Sequence, residues 1–389
     1  DPERQAHDKE YFYPDRNGNI AFYGASGSGK TTALRTLAIT AGITPRGGPV
    51  NVYGLDYAGG GLDMLTALPH VGDVVSGDDE ERVYRVINMI GDIVDDRAAR
   101  YSKVRAQNLE AYRRISGNRS EPRILLLVDN IGSMVEELNS AVRHQKVWNR
   151  FQQILLDGRA LGVHVAAGAD RSQAIPTSLA SNFQRKVVFR QTDADAYLNF
   201  GLPRDVLDST SFPGRAMQVG DTRVLQVAIL GDNINPLAQS RLIEELGAFL
   251  KQTPRQWPAP IGMLPEVLPA GKVPATIAGE PVVGMEAESL APLAFRGVGT
   301  LSVGGGPQTG RTNAVAWLSR SLMQTYPRAT FLHISSGRSA LSSRFRWTEH
   351  AVGVDDSQKL LAAHKQLFEE AAPESGPGVV LVVENLAGY

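Results

Sequence analysis

Eight residues, GASGSGKT at positions 24–31, limit what this chain can fold into more than any other stretch. They follow the apolar run at 20–23 and precede a helical run at 32–40, so the pattern predicts a strand, a tight glycine loop and a helix. Gly24, Gly27 and Gly29 lack a Cβ, which lets the backbone take positive φ and turn several N–H groups toward one anion. A helix starting near Gly29 brings its own unpaired N–H groups and positive dipole end to the same spot. Lys30 adds a point charge for the β- and γ-phosphates, and the Thr31 hydroxyl a ligand for Mg²⁺. The candidate ATP-binding set is therefore Gly24, Ala25, Ser26, Gly27, Ser28, Gly29, Lys30, Thr31 and Thr32.

Strands and helices alternate from there. Strands are expected at 50–55, 74–75, 124–128, 163–168, 187–190 and 224–230, with Gly42 closing the first helix and a last helix at 236–250. Alternation of this kind predicts an α/β fold with a doubly wound, mostly parallel sheet. Val83, Val86, Ile87, Ile90 and Val94 recur at helical spacing and mark a buried face. The basic residues that follow, Arg97, Arg100, Lys103, Arg105, Arg113 and Arg114, read as a solvated face. The run ILLLVDN is apolar enough to be buried on both sheet faces, and it carries Asp129 to the strand's carboxyl end. An acid there holds Mg²⁺, which pairs Asp129 with Thr31 as the candidate metal ligands.

Composition narrows the class of function. Forty Lys and Arg against 41 Asp and Glu leave a formal net charge of −1, so no global basic surface argues for nucleic acid or anionic lipid. The chain has no cysteine, which removes disulfides and thiolate metal sites and fits a reducing compartment. Its longest apolar runs fall far short of the ~20 residues a membrane-spanning helix needs.

A proline-rich stretch at 254–280 reads as a linker between a first module at 1–253 and a second at 281–389. The run at 299–322 repeats the spacing of the first phosphate loop through Gly305, Gly310, Arg311 and Thr312, and VVLVVEN, with Glu384, repeats LLLVDN. A parallel sheet ending just past that strand would leave an open edge, so the native polypeptide is expected to continue.

With these residues in hand the chain resembles the FtsK/SpoIIIE-type P-loop ATPases, and among them the coupling ATPases of type VII secretion (EccC/EssC). The phosphate loop, LDYAGGGLDMLTALPHVG at 55–72, LLLVDN, GRALGVHVAAGADR at 158–171, SLASNFQRKVVFR at 178–190 and FPGRAMQVGD at 212–221 carry the resemblance. It implies tandem RecA-like modules with preceding and following ATPase modules on the same polypeptide, and assembly into a homo-oligomeric ring. It also implies a protein substrate read through its signal peptide, and a place at the cytoplasmic face of a membrane through segments absent from this chain. DNA, the cargo of the wider family, is the alternative. In such rings an arginine from one module reaches the next module's phosphate; the matching residue is Arg159, with Arg150 a weaker candidate, while pairing with Asp157 or a neighbouring carboxylate would make Arg159 an ordinary surface residue.

The departures from the family pattern matter as much. Asn130 stands where active members carry a catalytic acid, and Asp170 where a γ-phosphate-sensing Gln is usual. An amide cannot take a proton from water, so hydrolysis in the first module is expected to be slow or absent. Glu136 and Glu137 lie about two helical turns beyond the strand end, where helix-surface roles are expected. Arg311 replaces the loop lysine and Glu384 the strand aspartate of the second, degenerate site, which is expected to bind nucleotide weakly or not at all.

Overall fold

The computed structural model describes all residues except 1–8, 44–46, 205, 206, 208, 209, 222, 288, 371–375 and 386–389. It separates into two compact units, Asp1–Ile261 and Gly262–Tyr389. Within the stretch read as a linker, Ile261 is buried in the core of the first unit and Thr276–Ile277 form a strand of the second.

The first unit runs α1 (Pro14–Asn17), β1 (Ile20–Tyr23), α2 (Lys30–Ile43), β2 (Val50–Asp56), β3 (Val71–Ser76), α3 (Glu80–Lys103), α4 (Leu109–Ser116) and β4 (Arg123–Asp129). It continues through α5 (Ile131–Asn139), α6 (Gln145–Asp157), β5 (Val163–Ala169), α7 (Thr177–Ala180), β6 (Arg185–Phe189), β7 (Arg215–Gln218), β8 (Val224–Gln226) and α8 (Pro236–Lys251). All eight strands share one sheet in the order β3-β2-β4-β5-β1-β6-β7-β8. The first six run parallel; β7 pairs antiparallel with β6, and β8 antiparallel with β7.

Alternation along β4 shows why both faces must be covered. Leu126 and Val128 enter the core made with Val86 and Ile90 of α3 and Phe151 of α6; Leu125 and Leu127 enter the one made with Leu34 and Ala38 of α2 and Ile243 of α8. A strand apolar on both sides is stable only between two helical layers. The predicted face of α3 is buried at Val83, Val86, Ile87, Ile90 and Val94. Asp79 caps the helix by accepting from Arg82 N at 3.1 Å, with Glu80 and Glu81 in the first turn where the dipole favours them.

Three expectations are corrected. Gly42 does not end α2, which continues to Ile43; its missing Cβ makes room for the His70 ring, whose Nε2 donates to Ala38 O at 2.8 Å. The expected strand at 224–230 is only three residues long, and β7 ahead of it carries no strong alternation to announce it. The basic stretch is a solvated face only in part: Lys103, Arg105 and Arg114 are exposed, but Arg97 and Arg113 are buried. Arg97 Nε donates to Glu121 Oε1 at 3.0 Å, its two terminal nitrogens donate to the carbonyls of Leu161 and Pro122, and Arg113 Nε donates to Glu121 O at 2.9 Å.

The second unit opens with an antiparallel sheet of β9 (Thr276–Ile277), β10 (Glu280–Met285) and β11 (Pro292–Ala294). Then follow α9 (Arg311–Thr325), β12 (Thr330–Ser335), α10 (Ala340–Arg344), β13 (Glu349–Val352), α11 (Val354–Ala363), α12 (Lys365–Glu370) and β14 (Val379–Glu384), with β13-β12-β14 parallel. Trp317 of α9 donates to Val282 O at 2.8 Å and Ser321 accepts from Val282 N at 2.8 Å, tying that helix to β10. Residues 299–303, which precede the second loop as β1 precedes the first, form no strand. In the first unit β1 pairs with β5 and β6, and the second unit has no counterpart of either among its described residues.

Candidate nucleotide-binding site

Parallel pairing brings the carboxyl ends of β1, β2, β4 and β5 to one edge of the sheet, with Asp56 in register with Asp129 and Tyr23 with Ala169. The glycine loop rises from that edge. Gly24 N donates to Ala169 O at 3.0 Å and Ala25 N to Arg190 O at 2.9 Å, so the loop hangs from the strands on either side of β1. Gly27 and Gly29 take φ of 69° and 113°, as expected of them. Gly24 is needed for a different reason: a Cβ there would lie 2.5 Å from Ser28 Oγ and 2.7 Å from Phe189 Cβ. Among the described residues, none accepts a hydrogen bond from the backbone N–H groups of Gly27, Gly29, Lys30 or Thr31. Such a cluster of unpaired donors at a helix start is an anion cradle.

Two side chains complete the cradle. Lys30, 8% exposed, folds back so that Nζ donates to Gly24 O at 2.6 Å and Ala25 O at 3.1 Å and pairs with Asp170 Oδ1 at 2.9 Å. Its charge is thus held by oxygens that phosphate oxygens can replace. Thr31 Oγ1 donates to Asp129 Oδ2 at 2.6 Å, which places a hydroxyl and a carboxylate oxygen side by side on neighbouring elements. That hard-oxygen pair suits Mg²⁺ bound chiefly by phosphates and water. No cluster of three His, Cys, Asp or Glu residues that could hold a metal ion occurs among the described residues.

Burial pushes the Asp129 carboxyl upward, and the charge of Asp56 adds to this against the Thr31 hydrogen bond and the Lys30 and Arg35 charges. Asp56 is itself pinned, accepting from Ala58 N at 2.9 Å and Leu62 N at 2.8 Å. Arg35 escaped the sequence reading, although it stands one helical turn beyond Thr31 on α2; its Nε donates to Gly61 O at 2.8 Å, joining the helix to the GGG turn after β2. Gly214 was missed too: its N donates to Ser28 O at 2.8 Å, a contact between distant segments that spacing cannot reveal.

Asn130 has left-handed backbone angles, φ 59° and ψ 62°, and its side chain donates to Ser133 Oγ at 2.8 Å and Tyr57 O at 3.3 Å. Glu136 is exposed and lies 3.7 Å from Arg171, and burial next to Glu80 pushes the Glu137 carboxyl upward. Arg159 lies ahead of β5, at the edge of the sheet opposite the loop, exposed and donating to Arg16 O at 2.9 Å and Asp15 O at 3.4 Å rather than to Asp157. Arg150 is occupied by Asp92 and Asp95, which bind α6 to α3.

The second loop is built differently. Gly310 has φ 90° at the start of α9, and a Cβ on Gly305 would meet Thr309 Oγ1 at 2.5 Å. Arg311 and Thr312 are exposed. Glu384 is not joined to the loop hydroxyl as Asp129 is; its Oε1 accepts from His333 Nε2 at 2.8 Å and from the Ser339 hydroxyl.

The sequence model of the FtsK/SpoIIIE family matches residues 4–201, half of the chain and the part that holds the cradle. The chain belongs to the FtsK/SpoIIIE family. Over 413 aligned residues it is 25% identical to the ESX secretion system protein EccC of Geobacillus thermodenitrificans, covering 99% of this chain and 27% of that protein. It is 29% identical to the type VII secretion system protein EssC of Staphylococcus aureus over 48% of this chain and 12% of that one. This FtsK/SpoIIIE chain thus spans about a quarter or less of those relatives. Its fold is that of two solved structures. Against EssC (ATPases 2 and 3) of G. thermodenitrificans the TM-score is 0.73 at 22% identity, covering 95% of this chain and 72% of that one. Against Thermomonospora curvata EccC (ATPases 2 and 3), solved in complex with a signal sequence peptide, it is 0.74 at 20% identity, covering 97% and 72%. No described helix is long and apolar enough to cross a membrane.

Proposed function

We propose that the first unit binds ATP with Mg²⁺ in the glycine cradle and hydrolyses it slowly or not at all, as a regulatory module of a type VII protein-export motor. The observation that carries the reading is the Thr31–Asp129 contact at the mouth of a loop whose lysine is neutralised by replaceable oxygens. The loop N–H groups and Lys30 would hold the phosphates, Thr31 and Asp129 the ion, and the ion would offset the phosphate charge. Asn130 orders the strand end through Ser133 but offers no base for the attacking water. Asp170 competes with phosphate for Lys30, which lowers the affinity for nucleotide.

Other parts of the reading rest on family likeness. Arg159 cannot serve the cradle of its own unit from the opposite sheet edge; exposed there, it is the side chain we assign to a neighbouring module's phosphates in a ring. The second unit, a degenerate copy of the first, binds nucleotide weakly or not at all, because its loop presents an exposed arginine and its strand acid is taken by His333 and Ser339. A signal sequence peptide is bound by the related EccC, and a secreted protein carrying such a peptide is the substrate we propose for the whole motor.

Calorimetry with Mg·ATP and a turnover assay, with and without duplex DNA, test this together. Lys30→Ala should abolish binding. Asn130→Asp restores a carboxylate in a residue type that tolerates left-handed backbone, and should raise turnover by roughly 10²–10⁴-fold. A wild-type rate near 10 per second, an ordinary enzyme value, with no gain in the variant would sink the regulatory reading. Stimulation by DNA would favour the translocase instead.

A further inference from the structure

The cradle fixes which way a nucleotide must lie. Asp129 ends β4, Asn130 follows it directly and Asp170 directly follows β5; both strands lie on one side of β1 in the sheet order, so the terminal phosphate and its metal belong on that side. The nucleoside must then leave the loop on the other side, toward β6 and β7. There the turn before β7 closes on the loop: Gly214 N donates to Ser28 O at 2.8 Å, and a Cβ on Gly29 would come within 2.8 Å of Gly214 N. The turn is well held. Gln226 Nε2 donates to Pro213 O at 3.1 Å, Val227 N to Gly214 O at 2.9 Å and Arg215 N to Phe212 O at 3.1 Å, while Thr36 Oγ1 of α2 donates to Ala228 O at 2.6 Å. Two residues from the loop contact, this turn presents Phe212, 71% exposed and more so than any other described phenylalanine. Presenting an aromatic ring to water costs hydrophobic free energy, and a fixed turn beside a phosphate cradle is where a ring recovers it by stacking.

We propose that Phe212 is the base-stacking wall of the nucleotide site, taking the purine face of ATP while the glycine loop takes the phosphates. The inference rests on the phosphate-cradle reading above. Stacking of a base on an aromatic side chain is worth enough to change affinity roughly 5- to 150-fold, and it is tolerant of which base is bound.

Calorimetry with two probes, Mg·ATP and Mg·tripolyphosphate, separates the subsite from the cradle. Phe212→Ala should weaken Mg·ATP by roughly 5- to 150-fold and leave Mg·tripolyphosphate unchanged, and Phe212→Trp should hold Mg·ATP within about threefold of wild type. Equal loss of both probes in Phe212→Ala means the change acts through the turn on the loop, and the stacking role is overturned. Unchanged Mg·ATP affinity overturns it as well, with the cradle left standing. Wild-type protein that binds neither probe removes the cradle and the subsite together.

Discussion

A single side chain at this site answers to two demands. Asn130 sits in a left-handed backbone position, where Asn and Asp are tolerated and other L-residues cost about 1–2 kcal/mol, and we propose that it also stands in the place of a catalytic acid. Asp129 shows the opposite tension, since the carboxylate that would bind the ion is buried and its pKa is raised. The sign follows directly. Both folded and unfolded chains carry a protonated Asp129 below the ordinary value of 3.8; as pH rises from there through the raised native value, the folded state loses stability relative to the unfolded one. Asp129→Asn should consequently melt higher than wild type at pH 7 without nucleotide, each kcal/mol relieved moving the midpoint by about 2–4 °C, and the gap should close toward pH 3.5. The same variant should gain nothing from Mg·ATP. Thermal melts across that pH range check both, and a variant less stable than wild type at pH 7 would refute the burial argument.

Among elements, the junction of α3, α4 and β4 departs most from its sequence pattern. A run of arginines ordinarily marks a wet face, yet Arg97 and Arg100 converge on Glu121, and Arg113 caps that residue's carbonyl. Burial pushes the Glu121 carboxyl upward, but the Arg100 and Arg97 guanidiniums hold it below the usual carboxylate range. Removing one member of a buried pair strands the other, so Glu121→Ala should cost about 3–5 kcal/mol in urea unfolding, whereas Arg114→Ala, exposed one residue from Arg113, should stay within about 0.5 kcal/mol. Comparable small losses in both would show that the cluster is solvated after all. The strand signals were far easier to read, because β4 and β5 are apolar on both faces, whereas β7 and β8 are short and lie at the antiparallel edge of the sheet.

At the scale of the molecule, the first unit has its own two-faced core and its own complete cradle, so residues 1–261 should fold without the rest. Expressed alone, that unit should unfold in one cooperative transition and be stabilised by Mg·ATP, by about 2.7 kcal/mol at a hundredfold excess over Kd. A piece that lacks a cooperative melt would show that its core depends on residues beyond 261.

The chain order of glycines, Lys30, Thr31 and Asp129 was enough to predict the glycine loop, the meeting of Thr31 with Asp129 and the α/β class, because those depend on local backbone freedom and on one apolar strand ending in an acid. Folding alone decided what rests on contacts between distant positions. Gly24 is required by Phe189, Gly42 by His70, the arginines of α3 and α4 by Glu121, and Phe212 is carried to the loop by Gly214. Periodicity reports how a residue sits on its own element. Which foreign atom it meets is set only when the elements pack.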